Sequence, residues 1–277
     1  MALTRESRRD INFGTSTAGN DYQGGISGNR RNIIWEVDNN RSFSQGFYNW
    51  WWRAYVPSNG SRSASSDIRF RSASLLIWEG AATLGNTAYF IESSGFVYPF
   101  NLTTGRFGTP ISTGISQIGG AIAEGSYLWL VDDGRNIAEA RSVSALNTVV
   151  PAQQINLGIG SWTGGVGFNG VLFFVDNAQN RIVAYTADNR ERDTSNDVDL
   201  GAGNWTGAFV GGPLNNWIFV VNNSQNRAVA YRYSFSTPVR PSKGAIYIGS
   251  QKFDRVFIGD VEYQKIYIGD QLFWEKG

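Results

Sequence analysis

Short apolar tracts that stop at an acid or an amide recur along the chain, at residues 34–38, 89–92, 128–132, 173–176 and 219–222. Their last members are Asp38, Glu92, Asp132, Asp176 and Asn222, spaced 54, 40, 44 and 46 positions apart. Four or five residues rich in β-branched and aromatic types, closed by a turn former, predict a buried strand running into a turn. A second strand is predicted after the turn at 53–56, 96–100, 181–186 and 227–232. A third, at 68–70, 111–113, 155–157 and 198–200, alternates as a half-exposed outer strand does. Before each tract lies a small, Gly-rich segment such as 164–167 (GGVG) or 207–212 (GAFVGG), which suits an inner strand at a crowded axis.

The unit is a true repeat. VLFFVDNAQNRIVAY at 171–185 returns as WIFVVNNSQNRAVAY at 217–231, and four strands per unit of 40–46 residues predict propeller blades. The expectation is an all-β, five-bladed β-propeller over residues 1–240. Asp10-Ile11-Asn12-Phe13-Gly14 matches Asp197-Val198-Asp199-Leu200-Gly201 and precedes the first tract, so the N-terminal strand is expected to close the ring by completing the last blade. The segment 41–52 (RSFSQGFYNWWW) lengthens the first unit and is expected to project as a surface loop.

After the boundary at 238–244 (PVRPSKG) the pattern changes to IYIG, VFIG and IYIG at a period of ten, in a small β-hairpin repeat spanning 241–277. All four lysines lie here, whereas residues 1–240 use arginine alone. About 30 residues of hairpins cannot bury a core alone, so this module is expected to attach or oligomerise the chain.

Composition then narrows the chemistry. The net charge is +1 with basic residues scattered singly, which argues against nucleic-acid partners. No apolar run reaches membrane-span length, and the first ten residues are too polar for a secretory leader. The chain has neither His nor Cys, which excludes imidazole-assisted nucleophiles and leaves only oxygen-ligand metals. No cofactor or metal site is expected.

Two resemblances attach to these motifs. LFFVDNAQNRIVAY is similar to the NHL-type propeller repeat, and five units in the mid-forties resemble the tachylectin type of five-bladed lectin. The tail IYIGSQKFDRVFIGDVEYQKIYIGDQLFWEKG resembles the glycine-punctuated repeats of bacteriophage tail and minor tail proteins. That last resemblance implies a virion component made in the host bacterial cytoplasm.

Candidate ligand-binding residues follow from equivalence. Asp38, Asp132 and Asp176, with Glu92 and Asn222, share one turn position, either as a polar ring for a cation or sugar hydroxyls or as caps of their own turns. Trp162 and Trp205 sit in matching GSWTG and GNWTG loops. Tyr22 aligns with them, and Leu75 and Ile118 stand at the same place in the other units. These aromatics either stack on a sugar ring or wedge between blades. Phe47, Tyr48, Trp50, Trp51 and Trp52 would form an apolar patch for a partner, or fold over the axial channel. Glu79-Gly80 and Glu124-Gly125 are read at the turn after the inner strand, so neither supplies the differentiated carboxylate pair that hydrolysis needs, and no enzyme is expected.

The expected function is therefore a non-enzymatic, tail-associated virion protein. Its propeller would bind a cell-surface glycan or protein receptor, and its C-terminal module would join other tail subunits in an oligomeric particle. The alternatives are a purely structural tail protein and a free sugar-binding lectin propeller.

Overall fold

The computed structural model describes residues 2–13, 22–27, 34–38, 41–44, 47–56, 61–72, 74–146, 149–211, 217–234 and, in the tail, 246–248, 251–253, 256–258, 261–263, 265–268 and 271–275. The chain forms two compact units, Leu3–Tyr233 and a second made of Ser234–Gly277 with Met1–Ala2.

The larger unit is an all-β propeller. Four sheets repeat one order from the axis outward. They begin on the inner strands Trp78–Leu84, Ile118–Glu124, Trp162–Phe168 and Trp205–Gly211. Each continues antiparallel through Thr87–Glu92, Tyr127–Asp132, Val171–Asp176 or Trp217–Asn222. The third strands are Phe96–Asn101, Ile137–Ser142, Arg181–Thr186 and Arg227–Ser234. Inner and second strands meet in tight turns, as at Asn169 and Gly170, whose φ of +50° and +76° give the two-residue reversal that matches the right-handed twist of the flanking strands.

The last sheet has no outer strand of its own sequence. Ile11–Asn12 takes that place, pairing Ile11 with Ala228 and Asn12 with Arg227, in the register by which Val198 and Asp199 pair with Ile182 and Arg181. Ala2–Arg5 adds a further strand on the same edge.

A repeated latch fixes this edge. Arg5 and Asp10, Arg62 and Asp67, and Arg192 and Asp197 each pair at 2.5 Å across a short 3-10 turn. Each aspartate also accepts the backbone N–H of Ala230, Ala54 or Ala184. Each guanidinium lies over the tyrosine that follows that alanine, Tyr231, Tyr55 or Tyr185. In the sequence this is Ala-Tyr followed by Arg-x4-Asp at 54–67 and 184–197, with the two halves of the third copy divided between Ala230-Tyr231 and the N-terminal Arg5-x4-Asp10.

The first unit is built differently, and the expectation of five equivalent blades is corrected to four regular ones. Tyr22–Ser27, Ile34–Asp38, Ala54–Val56 and Ser61–Arg62 form one sheet, while Arg41–Ser44, Phe47–Trp52 and Ile68–Ser72 form another. The inserted segment is a hairpin rather than a projecting loop. It captures the expected outer strand, Trp52 facing Ile68 and Trp50 facing Phe70. Burial drives this: Trp50 and Trp52 are 1% and 0% exposed, packed with Trp78 and Phe90 of the next blade.

Inner strands lie side by side about the axis in chain order, and Trp205–Gly211 returns against Tyr22–Ser27. In the smaller unit Ile246–Ile248 pairs with Gln251–Phe253, Val256–Ile258 with Val261–Tyr263, and Lys265–Ile268 with Gln271–Glu275, all antiparallel. The expected boundary at 238–244 lies outside the described residues.

Candidate functional site

The predicted ligand aromatics are interior wedges. Tyr22, Trp162 and Trp205 are 0%, 1% and 2% exposed. Trp162 sits among Trp129, Leu172 and Phe174, and Trp205 among Phe173, Val175 and Val220. Each indole N–H donates to the carbonyl four residues back, Gly158 or Gly201, at 2.9 and 3.0 Å. Gly160 and Gly203 let the loop close on the indole, since a Cβ at either would lie 2.8 Å from its Cε2. The backbone N–H of Trp162, Trp205 and Tyr22 donates to Asp133, Asn177 and Asn223, the residue after the tract in the neighbouring blade. No ring face is left for a sugar. Strand register also shows that Trp78, facing Glu92, holds this position in the second unit, in place of Leu75.

The turn acids are likewise consumed. Asp132 accepts the Arg135 backbone N–H at 3.0 Å and its Nε at 2.6 Å, and Asp176 accepts from Ser161, Gln179 and Arg181. Glu92 and Asn222 accept from Ser94 and Gln225. At 0–6% exposure these groups cap turns rather than form an open ring. The Asp38 side chain lies outside the described residues; its backbone pairs with Tyr22.

Of the aromatic segment, Trp50 and Trp52 are core, Tyr48 is half-buried and Phe47 is 37% exposed, while the Trp51 side chain lies outside the described residues. Among the described side chains, the expected patch reduces to Phe47 at the hairpin tip. A buried ion network was not anticipated from sequence. Glu139, 1% exposed, accepts from Arg135, Arg141 and Gln154, and Arg141 donates to Thr113 and Leu146 carbonyls. Val183 and Tyr185 occupy the equivalent places one blade on, so this network ties blades together rather than facing a ligand.

Glu124 is where the sequence placed it, at the inner-strand turn facing Tyr127, and its Oε1 accepts the Gly170 N–H at 2.7 Å. Burial raises its pKa above the ordinary 4.5. A carboxyl raised by folding contributes its stability below the unfolded value and loses it as pH rises through the folded one. Glu124→Gln is therefore expected to raise Tm at pH 7 and leave it unchanged at pH 4. The gain should be under about 1 kcal/mol, because solvent screens a half-buried group; thermal melts at both pH values check it.

Glu79 is the residue the sequence misplaced. Register puts Trp78 opposite Glu92 and Gly80 opposite Ile91, so Glu79 occupies a bulge at the start of the inner strand, at the axis. Equivalent bulges break register after Tyr22, Ile118, Trp162 and Trp205. Together they frame an axial opening of about 170 Å³, its solvent-open mouth included, lined by Gln23, Glu79, Gly120, Thr163, Gly164 and Gly207 among others. A Cβ at Gly120 would sit 2.8 Å from the Gly164 Cα, and Gly120 itself stands at φ +139°, so only glycine closes the ring here. Thr163 and Thr206 donate their hydroxyl protons to the Trp205 and Tyr22 carbonyls of the neighbouring inner strands. Among the described residues no three acidic side chains converge as a metal cluster.

No family model and no curated protein matches the chain, so neither the NHL-type nor the bacteriophage-tail resemblance gains support from a match. Solved structures do match in shape. The crystal structure of Myxococcus xanthus glutaminyl cyclase superposes with a TM-score of 0.62 at 12% identity, over 83% of this chain and 97% of that one. A virginiamycin B lyase from Staphylococcus aureus, also 12% identical, gives a TM-score of 0.45 over 81% and 98%. The likeness to the cyclase establishes the propeller fold. It also corrects the expectation that this chain is no enzyme: a scaffold of this shape carries a protein named for catalysis, so the fold does not exclude it.

Proposed function

We propose that the protein is a recognition propeller that docks end-on against a protein surface and is carried on a larger particle by its hairpin unit. One observation carries this reading. Among the described residues the exposed large hydrophobics are Phe47, Leu75, Ile77, Phe96 and Ile159, and all belong to connections at one end of the sheets. Leu75 and Ile77 precede an inner strand, and Ile77 accepts the N–H of Ser93 in the adjacent turn. Phe96 begins a third strand, Ile159 tips the loop before Trp162, and Phe47 stands at the tip of the inserted hairpin. Among the described residues the inner-strand turns at the opposite end carry Gly85, Gly125 and Asn169-Gly170. Apolar side chains gathered on one rim mark an interaction surface.

The three most exposed of these, Ile159, Leu75 and Ile77, are aliphatic and fit a protein partner better than a glycan, and the tryptophans and tyrosine that could stack on a sugar ring, Trp162, Trp205 and Tyr22, are buried. The resemblance of the tail repeat to bacteriophage tail proteins supports a virion as the particle and a host-surface protein as the partner. Counting the divided first unit as a fifth blade belongs to the same reading, since Tyr22–Ser27 lies between the last inner strand and Trp78–Leu84.

The test is binding of the full-length chain to host cells beside Leu75→Asp and Ile159→Asp. Ile159 is 90% exposed, so its replacement should leave Tm unchanged. Each substitution at a docking centre should weaken binding by about tenfold or more, the equivalent of about 1.4 kcal/mol. Undiminished binding by both variants would remove this end as the contact surface.

A further inference from the structure

The last blade carries charge that neither its latch nor end-on docking uses. Its short 3-10 turn, Ser7–Arg9, holds Arg8 and Arg9 where the two other copies of the latch carry Ser65-Ser66 and Ser195-Asn196. The latch is complete without them, since Arg5 and Asp10 make its ion pair. Arg8 stands exposed, and the Arg9 guanidinium lies 5.3 Å from the ring centroid of Trp217. Trp217 opens the second strand opposite Arg232, at the end of the sheets away from Ile159 and Leu75, and cross-strand partners share one face of the sheet. The equivalent pair one blade earlier is Val171 opposite Thr186. Arg232 is exposed, and Trp217 is half-buried at the edge of the cluster around Phe219. Among the described residues Arg8, Arg9 and Arg232 have no acidic partner, whereas Arg5, Arg62, Arg135, Arg141, Arg181 and Arg192 all stand in ion pairs.

We propose that Arg8, Arg9, Arg232 and Trp217 form a second docking surface, for an acidic segment of a partner protein. Guanidinium forks pair bidentately with carboxylates, and Arg and Trp are the residue types in which protein interfaces concentrate their binding energy. Trp217 gives the cations an apolar floor, where a charge pair is screened less than in open water. Three cations are too few for a nucleic acid or an anionic membrane. Affinity for a polyelectrolyte grows with the number of phosphates neutralised, and the whole chain carries a net charge of only +1. The surface does not rest on the apolar rim; with both in use, the propeller holds one protein at each end.

Full-length protein is titrated into fluorescein-labelled hexaaspartate, with labelled hexaglutamine as the neutral control, and anisotropy is read at low and at physiological ionic strength. Saturable binding of the acidic peptide that weakens as salt rises is expected. Arg8→Ser combined with Arg9→Asn installs the residues of the Arg192 latch, so the turn keeps a sequence that folds, and binding should weaken by about tenfold. Arg232→Thr installs the residue found at position 186 and should weaken binding by about threefold or more; it reads the same surface from the strand should the turn variant not fold. Arg106→Ala removes one exposed arginine from another blade and should bind as the unaltered chain does. Absence of saturable binding, undiminished binding by the folded variants, equal weakening by Arg106→Ala, or tighter binding of a labelled polyphosphate of equal charge would overturn the proposal. None of these results bears on docking by Ile159 and Leu75, so the two readings fail separately.

Discussion

Trp52→Ala is expected to lower the free energy of unfolding by about 3–5 kcal/mol, the range for deleting a large buried aromatic. Trp52 is 0% exposed and stacks on Phe90 at 4.1 Å between centroids with 10° between planes. Trp78 meets it edge-on at 5.5 Å, and Phe70 and Phe107 complete the box. No neighbouring main chain can collapse into the space of an indole held by four rings, so the cavity term adds to the lost transfer energy. Trp52→Phe should cost much less, because the Trp52 Nε1 has no hydrogen-bond partner among the described residues and phenylalanine removes that buried donor. Urea denaturation of both variants measures the difference. Phe47→Ala, at the exposed tip of the same hairpin, is the control and should stay within about 0.5 kcal/mol. Equal effects at positions 47 and 52 would mean that the hairpin does not pack on the second unit.

Removal of residues 1–13 is the second large effect. Ile11 and Phe13 are buried beside Tyr22, Tyr55 and Phe219, where the last sheet meets the first unit. The centroids of Phe13 and Tyr22 are 4.7 Å apart, and Arg53 donates to the Phe13 carbonyl at 3.1 Å. Deletion therefore strips the outer edge of Arg227–Ser234, the Arg5–Asp10 latch and two core side chains together. The loss should exceed the about 3–5 kcal/mol of a buried Phe→Ala alone. Most of it should come from the apolar contacts, since exposed ion pairs contribute about 1 kcal/mol or less. The predicted result is loss of the cooperative thermal transition, or association through the freed strand edge. Phe13→Ala alone should keep the transition and shift it, and Arg5→Ala should shift it least. A truncated chain that melted as the full chain does would refute closure through this segment.

The wedge residues show where sequence reading ended. GSWTG and GNWTG announced an equivalent pair, but a tryptophan beside Asp and Asn reads the same whether the ring faces a ligand or a neighbouring blade. Only the meeting of two sheets decides, and here the indole N–H finds a carbonyl four residues back while its backbone N–H is capped from the next blade. Asp132 and Asp176 were legible as turn residues, and their local hydrogen bonds follow from chain geometry alone. Glu139 was not legible, because although Arg135 and Arg141 lie within four residues of it, the Thr113 carbonyl that holds Arg141 comes from the neighbouring blade.

Glu79 marks the same limit in another way. Glu79-Gly80 and Glu124-Gly125 look alike as dipeptides, and reading both as turns cost the first its position. Register across six paired residues distinguishes them, since Leu84 faces Thr87 at the turn and Glu79 falls five residues earlier, in the bulge. A one-residue slip in a strand moves a side chain to the other face, so short motifs cannot fix register by themselves.

By itself the sequence determined the all-β character, the repeating unit, the Gly-rich inner strands and the pairing of the N-terminal strand with the last unit. Each of these rests on local periodicity or on one segment copying another, and such information survives in one dimension. Tertiary structure alone decided that the first unit divides into two sheets, that Trp50 and Trp52 turn inward, and that Glu79 reaches the axis. Those outcomes depend on which apolar surfaces compete for the same interior volume. That competition is settled only when all the blades are in place.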